Sequence, residues 1–359
     1  MLTNTGYRVP EKPECLMTHR IITDTEKRLW IFFQSHYRSL AFGFSEDGGQ
    51  TWTSPQELLP DISGPFSAAA GAGGMVFVVA RKTNHPDIYL LVWNGSQWSE
   101  GVLPSPGKQV ITASPLVAGG SGQEVHVVYA ARGYSSGEWA VKHSLLETGK
   151  GEIFDRPVPL ISAPQPEWPP RLEFLRESLY WAGDIALDSE SSLHLACSVF
   201  SGSHYQIYHS FCRGASGQWG AFSPLTAAPF HSTHPRLLAG QVNGEIHAFL
   251  QREKEGGHTL IGLSRSPEGK WGSEKTIAVN LKGDFPAEPV KTPSGTALYW
   301  SYGGGISRSL FGISCPTEKI VKEKVTSFSA CSSLEKVFLA CSGLSGDKTS
   351  IFVAKDRID

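Results

Sequence analysis

The sequence predicts an all-β fold of many short strands, and its composition and length carry that prediction. It contains 38 Gly, 23 Pro and 10 Trp among 359 residues, and only 18% of the residues are charged. Long surface helices would need more Ala, Glu and Lys on their wet faces, whereas tight turns between strands use Gly and Pro. Closed all-β architectures of roughly 200 residues or more are common as single domains. We therefore predict one domain over residues 1–359.

A turn motif of the form S-x-D-x-G-x-x-W is the clearest local signal. It spans Ser45–Trp52, after the strand-like segment LAFGF and before TSPQELLP. Asp47 is predicted to accept hydrogen bonds from turn amides, the glycines to supply positive φ, and Trp52 to pack between sheets. The motif is an Asp box (BNR repeat) and resembles the repeats of sialidases and related propeller proteins. Its predicted structural residues are Ser45, Asp47, Gly49 and Trp52.

Degenerate copies of this turn recur along the chain. Three of them keep the tryptophan and end at Trp98, Trp219 and Trp271, and two weaker copies place Phe154 and Ile320 at the same point. Successive copies lie roughly 50 residues apart, near the ~40 to 50 residues of a four-stranded blade. Each repeat has an inner strand A, an apolar strand B, an amphipathic strand C, the turn and an outer strand D. The spacing predicts a β-propeller.

The two ends of the chain predict one further blade. The segments FLACSG and TSIFVAKD near the C-terminus resemble two strands that lack an outer neighbour, while GYRVPEKPECL near the N-terminus resembles an unpaired outer strand. Pairing them would close the ring and remove a free sheet edge. We therefore predict seven four-stranded blades, with six as the alternative, closed by the N-terminal strand completing the last blade.

An insertion at about residues 163–183 interrupts the repeat between blades three and four. Insertions of this length in a compact repeat usually lie over a binding face, so we expect it on the top face of the propeller.

The formal net charge is −2, and no run of Lys and Arg reaches five residues. These features argue against a nucleic-acid or membrane partner. The N-terminal residues lack a signal-peptide pattern and the six cysteines are scattered, so we expect a cytoplasmic protein with reduced thiols.

The loops that join strand D to A and strand B to C should emerge on one face, around the mouth of the central channel. The starts of the A strands align as a ring of polar residues: His19, Ser67, Ser114, Asp184, His234, Glu288 and Ser329. Ionisable groups that converge there would perturb one another's pKa values. The predicted catalytic residues are therefore Asp184, Glu288, His19 and His234, although the ring could also simply bind water. No HxH or HExxH spacing supports a metal, and no cofactor is predicted.

The loops on the same face are rich in arginine and aromatic residues. Arginines around a cavity could clamp a carboxylate with two hydrogen bonds, and aromatic rings could stack on sugar faces, although loop arginines also simply solvate a rim. The predicted substrate-binding residues are Arg38, Arg81, Arg132, Tyr134, Arg252 and Trp168.

Two classes of function are consistent with these features. Sialidases combine Asp boxes with an early Phe/Tyr-Arg-Ile-Pro segment, which Tyr7-Arg8-Val9-Pro10 resembles. The resemblance implies the repeat architecture but supplies no catalytic set. One hypothesis is a carbohydrate-active or carbohydrate-binding protein, as an enzyme a sialidase-like glycosidase or a polysaccharide lyase, whose partner is a saccharide or an acidic small molecule. The alternative is a non-catalytic scaffold that presents its loops to a protein partner.

Overall fold

Seven four-stranded antiparallel sheets form the blades of a β-propeller in the computed structural model of this chain. The structure describes residues 3–10, 19–35, 38–83, 85–103, 110–120, 122, 124–133, 139–147, 152–157, 183–201, 204–214, 218–227, 229–254, 257–281, 287–302, 304–312, 317–321, 325–333, 336–345 and 348–357. The predicted insertion at about 163–183 lies, apart from Gly183, outside these described residues.

The strands are numbered in chain order, beginning with β1 (Thr3–Pro10). Blade one contains β2 (His19–Thr23), β3 (Leu29–Gln34), β4 (Leu40–Ser45) and β5 (Gln56–Leu59). Blade two contains β6 (Ser67–Ala70), a 3-10 turn (Ala72–Gly74), β7 (Val76–Arg81), β8 (Ile88–Trp93) and β9 (Trp98–Leu103). Blade three contains β10 (Val110–Gly119), β11 (Glu124–Gly133), β12 (Trp139–Glu147) and β13 (Glu152–Pro157).

The second half of the chain continues the same order of strands. Blade four contains β14 (Gly183–Leu187), β15 (Leu193–Ser201), β16 (His204–Cys212) and β17 (Ser223–Pro224). Blade five contains β18 (Ser232–Ala239), β19 (Ile246–Lys254), β20 (Gly257–Arg265) and β21 (Lys275–Leu281). Blade six contains β22 (Glu288–Thr292), β23 (Gly295–Tyr302), β24 (Gly305–Leu310) and β25 (Glu318–Val321), and blade seven contains β26 (Val325–Ser333), β27 (Lys336–Ser345) and β28 (Lys348–Arg357).

The first strand of the chain completes the last blade. Strand β1 pairs antiparallel with β28, so that Thr3 lies opposite Lys355 and Pro10 opposite Ser350. Both termini are thereby held in one sheet, which leaves β28 without a free edge. The predicted seven blades and their closure by the N-terminal strand are confirmed, and the six-blade alternative is wrong.

The core lies between neighbouring blades rather than inside one of them. Strand β3, for example, buries Trp30 and Phe32 against Val76 and Val78 of blade two, while Phe33 packs on the other side against blade seven. Each strand B is therefore apolar on both faces, because sheets cover it from two sides. The inner strands of successive blades adjoin one another around the ring, so their starts meet at one end of the propeller axis.

The turn at Ser45–Trp52 is held by the side chains of Ser45 and Asp47. The Asp47 carboxylate accepts hydrogen bonds from the Thr51 hydroxyl at 2.6 Å and from the Gln50 and Thr51 amides at 2.8 and 2.9 Å. These bonds, that of the Thr51 hydroxyl foremost, hold the pKa of Asp47 far below its usual range. Gly49 adopts a φ of 83° and donates its amide to Ser45 Oγ, 2.8 Å away. Trp52 then packs against the core between blades one and seven.

The tryptophans at this point of the repeat differ in whether their ring nitrogen has an acceptor. Trp219 packs against blade three and donates Nε1–H to His143 Nδ1 at 3.1 Å. Since an indole nitrogen only donates, neutral His143 must carry its proton on Nε2, which lies 3.1 Å from His126 Nδ1. Among the described residues, the buried Nε1 of Trp98 has no acceptor. Each of these two tryptophans packs between neighbouring blades, but only Trp219 also forms a hydrogen bond there.

Replacing Trp219 by phenylalanine is expected to lower the free energy of unfolding by about 1 to 3 kcal/mol. The change leaves the buried Nδ1 of His143 without its donor, and an unsatisfied buried acceptor costs about that much. Urea denaturation measures the difference. The matched control is Trp98→Phe, which reduces the side-chain volume by the same amount but removes no hydrogen bond from the indole nitrogen. Equal losses in the two variants would show that packing alone accounts for the effect.

Candidate functional site

Four charged side chains meet at the mouth of the channel, each from the inner strand of a different blade. Arg20 lies on β2, Asp184 on β14, Arg236 on β18 and Glu288 on β22. Arg20 Nη1 donates to both carboxylate oxygens of Glu288, at 3.1 and 3.2 Å, and Arg236 Nη2 donates to Glu288 Oε1 at 3.3 Å. Glu288 therefore lies between two arginines from blades that do not adjoin each other.

The bond between Arg20 and Glu288 passes over the end of blade seven. Blade seven stands between blades six and one in the ring, and its inner strand carries the short Ser329. Ser329 is buried, and its Oγ accepts a hydrogen bond from the Ile21 amide at 3.1 Å.

Asp184 is a partly buried carboxyl beside this ion pair. Its Oδ2 accepts a hydrogen bond from the Leu237 amide at 2.8 Å. Burial raises the pKa of Asp184, and the charge of Glu288 adds to the rise, while Arg236, the Leu237 amide and Arg20 oppose it. A carboxyl in this environment holds its proton more readily than an ordinary aspartate and can donate it within the site.

Arg236 links the two carboxyl groups. Burial by itself would lower its pKa, but the nearby charges of Glu288 and Asp184 outweigh burial and raise it. Its Nε is sealed from solvent and has no acceptor among the described residues. Arg236 thus remains a cation that holds Glu288 with one edge of its guanidinium and has a further donor unused.

A bulge in β18 brings Arg236 into the site. Thr233 pairs with Gln251 and Arg236 with Phe249, so one extra residue lies between these two pairs, and His234 adopts a φ of 51°. Pro235 lies in the bulge and has no amide hydrogen to give to a ladder, which favours a bulge at this point of the strand. Strand β10 shows the same register shift around Pro115.

Of the four predicted catalytic residues, the described contacts bring Asp184 and Glu288 into one charged network. His19 is buried between blades one and seven, with Nε2 2.8 Å from the Ala340 carbonyl and Nδ1 3.3 Å from Ser327 Oγ. His234 lies in the bulge, with Nδ1 3.2 Å from Thr233 Oγ1. Catalytic roles for these two histidines stay predictions.

The serines of the predicted polar ring join neighbouring blades. Ser67 Oγ accepts a hydrogen bond from the Val117 amide at 3.3 Å, as Ser329 does from Ile21 and Asp184 from Leu237. The same position of the inner strand therefore links blade two to three, blade four to five and blade seven to one. The side chain of Ser114 is outside the described residues.

The predicted substrate-binding arginines lie at the ends of the B strands, except Arg38, which lies on the loop between β3 and β4. Arg38 is exposed, and Arg81 Nη2 donates to Ser63 Oγ at 3.1 Å. Arg252 is buried, donates from both terminal nitrogens to Glu274 and lies over the ring of Phe230, 5.8 Å from its centroid. Tyr134, Trp168 and the side chain of Arg132 lie outside the described residues. Substrate binding by all six stays a prediction.

Sequence reasoning missed Arg20 and Arg236 as site residues. Arg20 directly follows the predicted His19 on β2, and the alignment of repeats took only one residue from the start of each inner strand. Arg236 stands two residues after the predicted His234, because the alignment of repeats did not allow for the bulge. The Pro235 that follows His234 is the sequence signal that could have revealed the bulge.

The described part of the chain contains neither a metal-binding cluster nor a membrane-spanning helix. No group of three or more His, Cys, Asp or Glu side chains there is arranged to hold a metal ion. Nor does any helix among those residues have the length and apolarity needed to cross a membrane.

Known structures with the same architecture include enzymes that act on carbohydrates. A protein of unknown function from Dyadobacter fermentans superposes with a TM-score of 0.58 at 11% identity, over 99% of both chains. An α-L-arabinanase from Penicillium chrysogenum, in complex with arabinobiose, gives 0.52 at 10% identity, over 99% of this chain and 98% of that one. The NanB sialidase from Streptococcus pneumoniae gives 0.51 at 11% identity, over 99% and 70%.

These similarities show the fold alone, because the identities are too low to carry over any residue's role. No protein-family model matches the sequence. No curated protein matches it either.

Proposed function

We propose that this chain is an Asp-box β-propeller of the sialidase-like type that cleaves a glycosidic bond at the network formed by Arg20, Asp184, Arg236 and Glu288. The single observation that carries the proposal is the pair of carboxyl groups in that network. Asp184 is partly buried and has a raised pKa, whereas Glu288 is ion-paired with two arginines. Glycoside hydrolysis needs two carboxyl groups in different protonation states on either side of the scissile bond.

The environments of the two groups suggest their roles. Asp184 is the general acid that protonates the leaving oxygen, since it holds its proton more readily than an ordinary aspartate. Glu288 is the general base or nucleophile, and Arg236 holds it in place. The bonded turn at Ser45–Trp52 supports the Asp-box assignment.

The substrate class is a saccharide, and similar folds in an arabinanase and a sialidase support that choice. Among the described residues no observation favours the protein-scaffold alternative. Residues 163–182, on which that hypothesis partly depended, are outside the described part of the chain.

A panel of chromogenic glycosides and acidic and neutral polysaccharides tests the proposal. Reducing-end release reports hydrolysis, ultraviolet absorbance of unsaturated products reports elimination, and calorimetry reports binding. On any substrate turned over, Asp184→Asn is expected to lower kcat by about 100- to 10,000-fold, because the amide cannot donate an acidic proton. It should leave the melting temperature nearly unchanged, because the Asn side-chain oxygen can still accept from the Leu237 amide.

The matched control is Asp356→Asn, which alters another buried carboxyl away from the channel mouth, bonded to Tyr299 and Arg308. This variant is expected to keep the wild-type kcat. Full turnover by Asp184→Asn would contradict the assignment of the acid. Saccharide binding without turnover of any substrate would show a lectin, and elimination products would show a lyase.

A further inference from the structure

Two arginines lie over one aromatic ring on the face of the propeller opposite the channel-mouth site. Phe211 belongs to strand C of blade four, and Arg213 follows that strand. Arg265 ends strand C of blade five. The Cζ atoms of Arg265 and Arg213 lie 4.5 and 5.6 Å from the centroid of the Phe211 ring. Because strands A to D alternate in direction, the ends of the C strands lie on the face opposite the starts of the A strands.

Arg265 is buried without an acceptor for its charge. Arg265 is 7% exposed, yet its guanidinium has no hydrogen bond or ion pair with any described residue. Other largely buried arginines are paired: Arg28 with Asp24, Arg252 with Glu274, and Arg308 with Asp356. None of the Arg265 nitrogens is sealed from solvent, unlike the Nε atoms of Arg236 and Arg252. A solute can therefore reach the guanidinium.

The electrostatics around Arg265 indicate uncompensated positive charge. Burial lowers the pKa of Arg265 and Arg213 lowers it further, while Asp188 opposes both. Burial also lowers the pKa of His194 and His209, and in both cases the charge of Arg265 adds to the fall.

The acidic side chains near Arg265 are engaged elsewhere. Asp188 accepts from the Glu190 and Ser192 amides and contacts His194 Nε2 at 3.2 Å. Glu268, in the turn that follows Arg265, is bonded to Ser266. Neither carboxylate forms an ion pair with Arg265. A buried guanidinium is stable when an anion neutralises it, so the missing partner points to a ligand.

We propose that Arg265 and Arg213 form a binding site for a small oxyanion: a phosphate, sulfate or carboxylate group, either free or carried by a sugar. Stacking on Phe211 holds the planar guanidinium of Arg265 in one orientation, so its N–H groups are ready to bind two oxygens at once. Arg213 is exposed and supplies a second positive charge at the entrance. The site lies on the opposite face from the proposed hydrolase site and does not depend on it.

Calorimetric titration of the whole protein with inorganic phosphate and with inorganic sulfate, at constant ionic strength, tests the proposal. Wild-type protein is expected to bind one anion per chain. Arg265→Gln should weaken that binding by about tenfold or more, and Arg213→Gln by a few-fold, because each removes a charge-assisted hydrogen-bond donor. Arg213 is exposed, so its variant tests the site even if Arg265→Gln does not fold.

The matched control is Lys275→Gln, which removes a cation that lies 5.6 Å from the ring of Phe311 elsewhere on blade five. This variant is expected to bind phosphate and sulfate as the wild type does. Titration with a sugar phosphate and a sugar sulfate distinguishes the sources, since tighter binding than the inorganic ions would assign a sugar-borne anion. Absence of binding to the wild type, or equal weakening in all three variants, would overturn the proposal.

Discussion

Replacing Glu288 by alanine is expected to lower the free energy of unfolding by about 3 to 5 kcal/mol. Glu288 is 6% exposed and forms ion pairs with Arg20 and Arg236 from two other blades. Its removal leaves the partly buried Arg236 without its main partner, and removal of one partner of a buried ion pair is destabilising by that amount. Chemical denaturation followed by tryptophan fluorescence measures the loss.

The matched control for this prediction is Glu318→Ala. Glu318 also pairs with an arginine, Arg308, but its side chain is 62% exposed. An exposed ion pair contributes about 0.2 to 1 kcal/mol, so the control variant should lose no more than that. A loss below about 1 kcal/mol for Glu288→Ala would show that water replaces the carboxylate at the channel mouth. The network would then be a hydrated surface feature rather than a buried one.

Acidification from pH 6.5 to about 4 is expected to lower the free energy of unfolding by about 3 kcal/mol through His194 alone. Burial lowers its pKa to about 4, although Asp188 opposes the fall, against about 6.5 for an unfolded chain. Between these values the unfolded chain binds a proton that the folded protein does not. The stability of neutral His194 is thus complete above pH 6.5, is lost as the pH falls through this window, and levels off below 4. His209, bonded to His194 at 3.0 Å, acts in the same direction, because burial lowers its pKa as well.

Urea denaturation at successive pH values between 7.5 and 4 measures this dependence. In His194→Gln the free energy of unfolding should fall less steeply with decreasing pH. The difference in slope corresponds to the uptake of up to one proton, or about 1.4 kcal/mol per pH unit. The glutamine can still donate to Asp188 and accept from His209, so the bonds on both sides survive. The control His85→Gln changes an exposed histidine and should keep the wild-type slope. An unchanged slope in His194→Gln would mean that His194 becomes protonated in the folded protein.

Most of the architecture could be predicted from local sequence. Turns are specified by a few neighbouring residues, as in Ser45–Trp52, where side chains bond to amides three and four positions away. The apolar strand B patterns follow from burial on two faces, which a single segment such as β3 already displays. The closing strand β1 was predictable because the C-terminal repeat lacked an outer strand, while the N-terminal segment was a strand without a repeat of its own.

The site was only half predictable, because its pairings join residues far apart in the chain. Asp184 and Glu288 were found from their positions at the starts of inner strands. Arg20 meets Glu288 across 268 residues of sequence, and the two residues lie on blades that are separated by blade seven. Arg236 depends on a bulge that shifts the register by one residue. Neither the pairing across blade seven nor the bulge can be predicted from the spacing of the repeats.

The sequence by itself therefore determined the all-β class, the seven repeats and the ring closure, since these follow from turn chemistry and from hydrophobic periodicity within short segments. Only the tertiary structure decided which charges are compensated. It paired Glu288 with two arginines and left Arg265 without an acceptor on the opposite face. The physical reason is that the energy of a charge depends on burial and on partners within a few ångströms, and the folded chain alone sets both.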